Sequence, residues 1–159
     1  MQASGARSSS RAALISGVTA GLIGGVTIDA FLIALRTGIE HQPVLSLWTY
    51  IASAALGTNA FSMPAAPLLG FLMHFAISAG WGAGYAYLLP QTPQLLRHPL
   101  ISGSVYGLIV YIMMQLLLLA NGMAQPINQL TLAIGLIAHI VFFGIPVALI
   151  APRLTQRVI

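Results

Sequence analysis

A chain of 159 residues that is 58% apolar and only 5% charged, with a mean hydropathy of +0.92, would be insoluble in water, so lipid must be the solvent for most of it. Its net charge of +4 comes from six arginines set against two acids. These arginines flank apolar runs and build no basic face able to track phosphates, which excludes nucleic acid as a partner. The absence of cysteine excludes disulfides, thiolate metal sites and cysteine nucleophiles.

The polar start MQASGARSSSR reads as a disordered cytoplasmic tail over residues 1–11. The first span is predicted from Ala12 to Leu35 (12–35), far longer than the 7 to 15 apolar residues of a signal-peptide core. Residues 44–57, VLSLWTYIASAALG, are apolar but too short to cross, and predict an interfacial or re-entrant helix whose Trp48 and Tyr50 suit the headgroup region. The second span is predicted over 67–89, between the prolines of PAAP and Pro90. The third follows Pro99 over 100–120. The fourth occupies 130–150 and is expected to stop at Pro152 and Arg153, leaving 153–159 as a cytoplasmic tail. The expectation is an all-α polytopic membrane protein, one four-helix domain over 12–152.

Arg7, Arg11, Arg97, Arg153 and Arg157 fall on one side of this arrangement and Arg36 alone on the other. The positive-inside rule therefore puts both termini and the Pro90 to Pro99 loop in the cytoplasm.

The two halves echo each other. LISGVTAGLI from Leu14 and LISGSVYGLI from Leu100 share seven of ten residues, and GFLMH ending at His74 is echoed by GLIAH ending at His139. A two-helix repeat of this kind predicts two pseudo-repeated hairpins, related by an axis along the membrane normal. Small residues also recur every fourth position, on one helix face: Gly17, Gly21 and Gly25, then Gly70, then Gly103 and Gly107, then Gly135. Such ridges let backbones approach closely, so these glycines are read as helix-packing residues.

Four polar groups interrupt the ridges: Asp29, His74, Gln115 and His139. Asp29 lies seven residues before Arg36, roughly 10 Å inside the boundary at 1.5 Å per residue, and the other three reach similar depth from the same side. Under the repeat Asp29 maps onto Gln115, and His74 onto His139. An ionisable group at mid-span costs on the order of 3 kcal/mol, so it is expected to face the bundle interior and find a partner. Asp29 is the single embedded acid, and a histidine at its level could share or exchange its proton. Glu40, His41 and Arg36 read as solvated residues of the outer surface.

HFAISAGWGAGY, from His74 to Tyr85, the glycine-rich first span, the GL-type third span and AHIVFFGIPVALIAPRL in the fourth together resemble the YagU-like family of small bacterial inner-membrane proteins. The resemblance implies a multi-pass protein of the bacterial inner (cytoplasmic) membrane, with a link to acid stress. It supplies no catalytic residues, and the chain lacks the large polar insertion and charged tail expected of that family.

Three functional readings follow. The first is a non-enzymatic protein handling protons or a small solute, with Asp29 and His74 as the titrating pair and Gln115 and His139 completing the site. The second is a redox protein holding b-type haem between His74 and His139, as pseudo-twofold mates could. The third is a structural or assembly role, in which the ridges bind a second copy or other membrane-protein helices and no cofactor is held. Hydrolysis lacks a third member beside His74 and Ser78, and no HxxxH spacing marks a metal site.

Overall fold

The computed structural model describes residues 2–123 and 128–158. Met1 and Ile159, the outermost residues of the two predicted tails, lie outside the described residues, as do the side chains of Arg7 and Arg157. The chain is all-α, with helices α1 (Gln2–Gly38), α2 (Leu45–Leu56), α3 (Ala66–Leu88), α4 (Gln94–Arg97), α5 (Pro99–Ala120), α6 (Gln129–His139) and α7 (Ile145–Val158). A 3₁₀ turn, Gly57–Phe61, follows α2, and a π-helical segment, Ile140–Gly144, joins α6 to α7. Four stretches are long and apolar enough to cross a bilayer: Arg11–Gly38, Ala66–Leu88, Pro99–Ala120 and Gln129–Thr155.

Two boundaries differ from the sequence expectation. Residues 2–11, predicted to be a disordered tail, continue α1. Once a span is formed, each added residue gains a hydrogen bond without a new nucleus, and ASGARSSSRA contains no proline to stop it. At the other end Pro152 does not close the fourth span, because α7 runs through it to Val158. The proline forfeits one N–H, while the turn around it is supported by Thr155 Oγ1, which donates to the Ala151 carbonyl at 2.9 Å.

Glycine sets the packing. A Cβ at Gly21 would land on the Ser78 carbonyl, and one at Gly82 on the backbone of Gly17 and Gly21, so α1 and α3 cross backbone to backbone. The other hairpin does the same, since a Cβ at Gly107 would strike the His139 carbonyl and one at Gly144 the backbone of Gly103 and Gly107. Such contacts give dispersion and close approach where no hydrophobic drive exists. The opposite side of α1 packs on the fourth span, with Phe31 stacked on Phe142 at 4.4 Å and Ala20, Ile28, Phe143 and Val147 buried in one cluster. Near the arginine-rich end α3 and α5 are tied by polar contacts: the Tyr85 hydroxyl bonds Ser102 Oγ at 2.8 Å, and the Tyr106 hydroxyl donates to the Trp81 carbonyl.

The π segment has a local cause and a consequence. Pro146 cannot donate to the Phe142 carbonyl, and the preceding turn widens so that the Ile145 N–H reaches Ile140 instead. The freed Phe142 carbonyl accepts from Thr27 Oγ1 of α1. The wider turn also shifts the register. Ser78 and Gly82, four residues apart, make the contacts with α1 that His139 and Gly144, five apart, make with α5. In packing, therefore, His139 corresponds to Ser78 and His74 to Gly135. The pairing of His74 with His139 read from GFLMH and GLIAH is displaced by one helical turn.

Gly21→Leu and Gly107→Leu should each abolish the folded protein in detergent, seen as loss of a monodisperse peak and of the thermal transition. Gly80, with open space where a Cβ would stand, is the control, and Gly80→Ala should leave the transition unchanged or raise stability by up to ~1 kcal/mol. Thr27→Val should cost about 1–3 kcal/mol by stranding the Phe142 carbonyl.

Candidate functional site

Asp29 sits on α1 one turn beyond Gly25, with only 5% of its surface exposed. Its Oδ2 accepts from the indole Nε1–H of Trp48 at 3.1 Å, so α2 reaches into the bundle and caps the carboxylate. Trp48, expected among the headgroups, turns inward because α3 offers Gly70 beneath it: a Cβ there would land on the Trp48 carbonyl. Helix α2 is also tied at its far end, where Asn121 Nδ2 donates to the Ala54 carbonyl at 2.7 Å.

His74 of α3 approaches the other carboxylate oxygen, with Nε2 3.2 Å from Asp29 Oδ1. The same nitrogen lies 3.1 Å from the Gly25 carbonyl. A carbonyl can only accept, so Nε2 carries a proton and donates it there. One N–H cannot serve two acceptors well. Asp29 Oδ1 is consequently buried with no hydrogen-bond donor, although it lies beside the imidazole. This is an incompletely satisfied polar pair in a place where unsatisfied groups are costly.

Gln115 and His139 make no hydrogen bond or ion pair with these two residues, although His139 lies close enough to His74 for the two rings to interact electrostatically. Gln115 and His139 line a cavity of about 360 Å³ with Arg36, Glu40, Tyr50 and Tyr111. His139 folds its ring onto its own helix, where Nδ1 donates to the Gly135 carbonyl at 2.8 Å, and packs edge-on against Tyr111 at 5.3 Å. Gln115 makes no hydrogen bond among the described residues. The structure thus joins Asp29 to His74 and places Gln115 with His139 on a separate cavity wall. The two histidines considered as haem ligands do not share this cavity, and among the described residues no three His, Cys, Asp or Glu side chains form a metal-binding group.

Trp48 and Arg36 are the residues the sequence reading did not place in the site. Arg36 lies over the Tyr50 ring at 5.8 Å and 3.7 Å from Glu40, one turn on. The Arg36/Glu40 spacing was a visible signal for an ion pair, whereas a tryptophan in a short apolar helix reads equally well as a headgroup anchor.

The fold and site define a class, a helical membrane protein of four spans holding a buried carboxylate–imidazole pair beside a polar-lined cavity. Comparison with known proteins finds no matching family model, no matching curated protein and no matching solved structure.

Trp48→Phe keeps the aromatic packing on Phe71 and removes the donor to Asp29 Oδ2. It should lower stability by about 1.5–3 kcal/mol, read as a shift of the unfolding midpoint in detergent, and Asp29→Asn on that background should recover part of the loss.

Proposed function

We propose that this membrane protein handles protons, or a small solute moving with a proton, through Asp29 and His74. The observation that carries the reading is Asp29 Oδ1: a carboxylate oxygen buried without a donor, 3.2 Å from an imidazole nitrogen. Interhelical glue is most stabilising when every lone pair is matched. An oxygen left open beside an imidazole nitrogen, inside lipid where a fixed charge is costly, is suited to taking up and returning a proton. A ring protonated at both nitrogens can hand its Nε2 proton across the 3.2 Å to Oδ1, which leaves the ring neutral with its proton on Nδ1 and a carboxyl O–H that donates to Nε2.

The likeness to the YagU-like family suggests a bacterial cytoplasmic-membrane setting with a link to acid stress, and the arginine distribution supports cytoplasmic termini. The matching glycine contacts of the two hairpins support an internal repeat. Four spans are few for a complete alternating-access pathway, and self-association through lipid-facing helices would supply the remainder.

Purified protein in liposomes carrying a pH-sensitive dye should show a proton flux, with or without a co-moving solute, that falls at least tenfold in Asp29→Asn and in His74→Ala. A flux that survives both substitutions in folded protein would sink the proposal. If neutral replacements leave function intact while Gly21→Leu or Gly107→Leu abolishes it, the structural role replaces it. An absorption spectrum of the same preparation tests haem, whose Soret band should be missing after haem-supplemented expression.

A further inference from the structure

The cavity beside the pair has chemistry of its own. It opens at the end of the bundle that carries Arg36, between α1, α2, α5 and α6. Its volume of about 360 Å³ lies at the small end of ligand pockets and is room for about a dozen waters. One wall is apolar, built from Leu32, Leu35, Leu47, Leu132 and Ile134.

The polar wall holds groups with spare bonding capacity. The Arg36 guanidinium has its Nε buried without a hydrogen-bond partner, and Glu40 at 3.7 Å stands beyond hydrogen-bond distance. Gln115 likewise has its amide uncommitted. His139, having given its Nδ1–H to Gly135, presents Nε2 as an acceptor when the ring is neutral. Thus the cavity offers a planar cation with the Glu40 carboxylate at its edge, an amide that can donate or accept, one acceptor nitrogen, and a greasy surface opposite them. A guanidinium with free N–H groups matches a carboxylate, which it can bind through two parallel hydrogen bonds that the single, distant Glu40 oxygen does not supply.

We infer that this cavity is a binding site for a small amphipathic monocarboxylate, its carboxylate on Arg36 and Gln115 and its apolar body against Leu32, Leu35 and Ile134. The inference deepens the proton-and-solute reading and rests on it for the coupling, though not for the binding. A weak acid is the solute whose own protonation changes with that of a nearby carboxylate–imidazole pair. Arg36 holds the anion at the mouth, and Leu32 lies between Arg36 and Asp29 on the same helix.

The test uses the full chain in lipid nanodiscs, titrated calorimetrically with hexanoate, with hexylamine and hexanol as partners of equal chain length. The site predicts saturable binding of hexanoate at one per chain. The amine and the alcohol should show only linear partitioning into lipid. Gln115→Leu and Arg36→Gln should weaken hexanoate binding at least tenfold, and Arg36→Lys should weaken it less than Arg36→Gln because charge is kept while the fork is lost. The thermal transition of each variant confirms folding, and Gln115→Leu carries the test where an Arg36 variant does not fold. Asp29→Asn should bind hexanoate as wild type does while losing flux, because Asp29 does not line the cavity. Hexanoate heats indistinguishable from those of hexanol, or wild-type binding in both Gln115→Leu and Arg36→Gln, would overturn the site. Hexanoate binding with a flux indifferent to Asp29→Asn would keep the site and remove the proton-handling reading instead. Displacement of hexanoate by oleate supports the carboxylate site with the bilayer as the source of its ligand, and saturable binding that oleate does not displace supports it with a water-borne acid.

Discussion

The backbone contact between α1 and α3 is the constraint on which the rest of the structure depends. Because Gly21 and Gly82 have no Cβ, the two helices meet where Gly21 faces the Ser78 carbonyl. One turn further along, this closeness brings His74 within reach of a main-chain carbonyl on the neighbouring helix. A side chain at Gly21 would push α3 away, and the His74 contacts to Gly25 and Asp29, both near 3 Å, would open together. Helix packing and site geometry are one event here: the glycines that let greasy helices associate also bring a carboxylate and an imidazole together in the bilayer.

The same solvent dictates how the backbone repairs its own defects. In water a carbonyl left free by proline would simply be hydrated. Inside lipid it must find a protein donor, and the Phe142 carbonyl, without its Pro146 partner, finds Thr27 Oγ1 on α1. The repair fixes the fourth span against the first, alongside the stacked Phe31 and Phe142 rings. Asn128 and Thr131 satisfy the start of that span by exchanging bonds in a capping box. Thr27, Trp48, His74, Tyr85, Tyr106 and Asn121 each make a polar contact that ties one helix to another.

How much of this was legible in the sequence follows from the range of each interaction. Four spans and a short apolar helix at 45–56 could be read because hydropathy over some twenty residues is a local sum that lipid enforces. Asp29 could be singled out as an embedded acid and His74 placed at its depth, since depth is counted along one helix. What could not be read was the orientation of α2. Its Trp48 is satisfied equally by headgroups or by a buried carboxylate, and the choice is made by Gly70 on a different helix. That His139 packs as Ser78 does, and not as His74 does, was hidden too, because a single π turn caused by Pro146 changes which residues face a neighbour while leaving the motif GLIAH intact. Arg36 and Glu40 were read as solvated residues of the outer surface from their place past the first span, and Glu40 is indeed exposed; the cavity that both also line is made by helices distant in sequence.

The displaced register explains why two similar hairpins hold such different polar sites. Gly21 of α1 stands to Ser78 as Gly107 of α5 stands to His139, and counting on from these contacts sets Gly25 against Tyr111 and Asp29 against Gln115. On the partner helices the packing pairs His74 with Gly135. In the first hairpin the ring comes from α3 and the glycine from α1, and His74 closes over the Gly25 carbonyl. In the second the roles are exchanged: Gly135 lies under the Tyr111 ring, which comes from the other helix. With the ring anchored on α5, Gln115 makes no hydrogen bond among the described residues and lines a cavity shared with Arg36. One hairpin thus buries a carboxyl–imidazole pair and the other leaves an amide facing a cavity, a division that accompanies the exchange of one ring and one glycine across a helix contact.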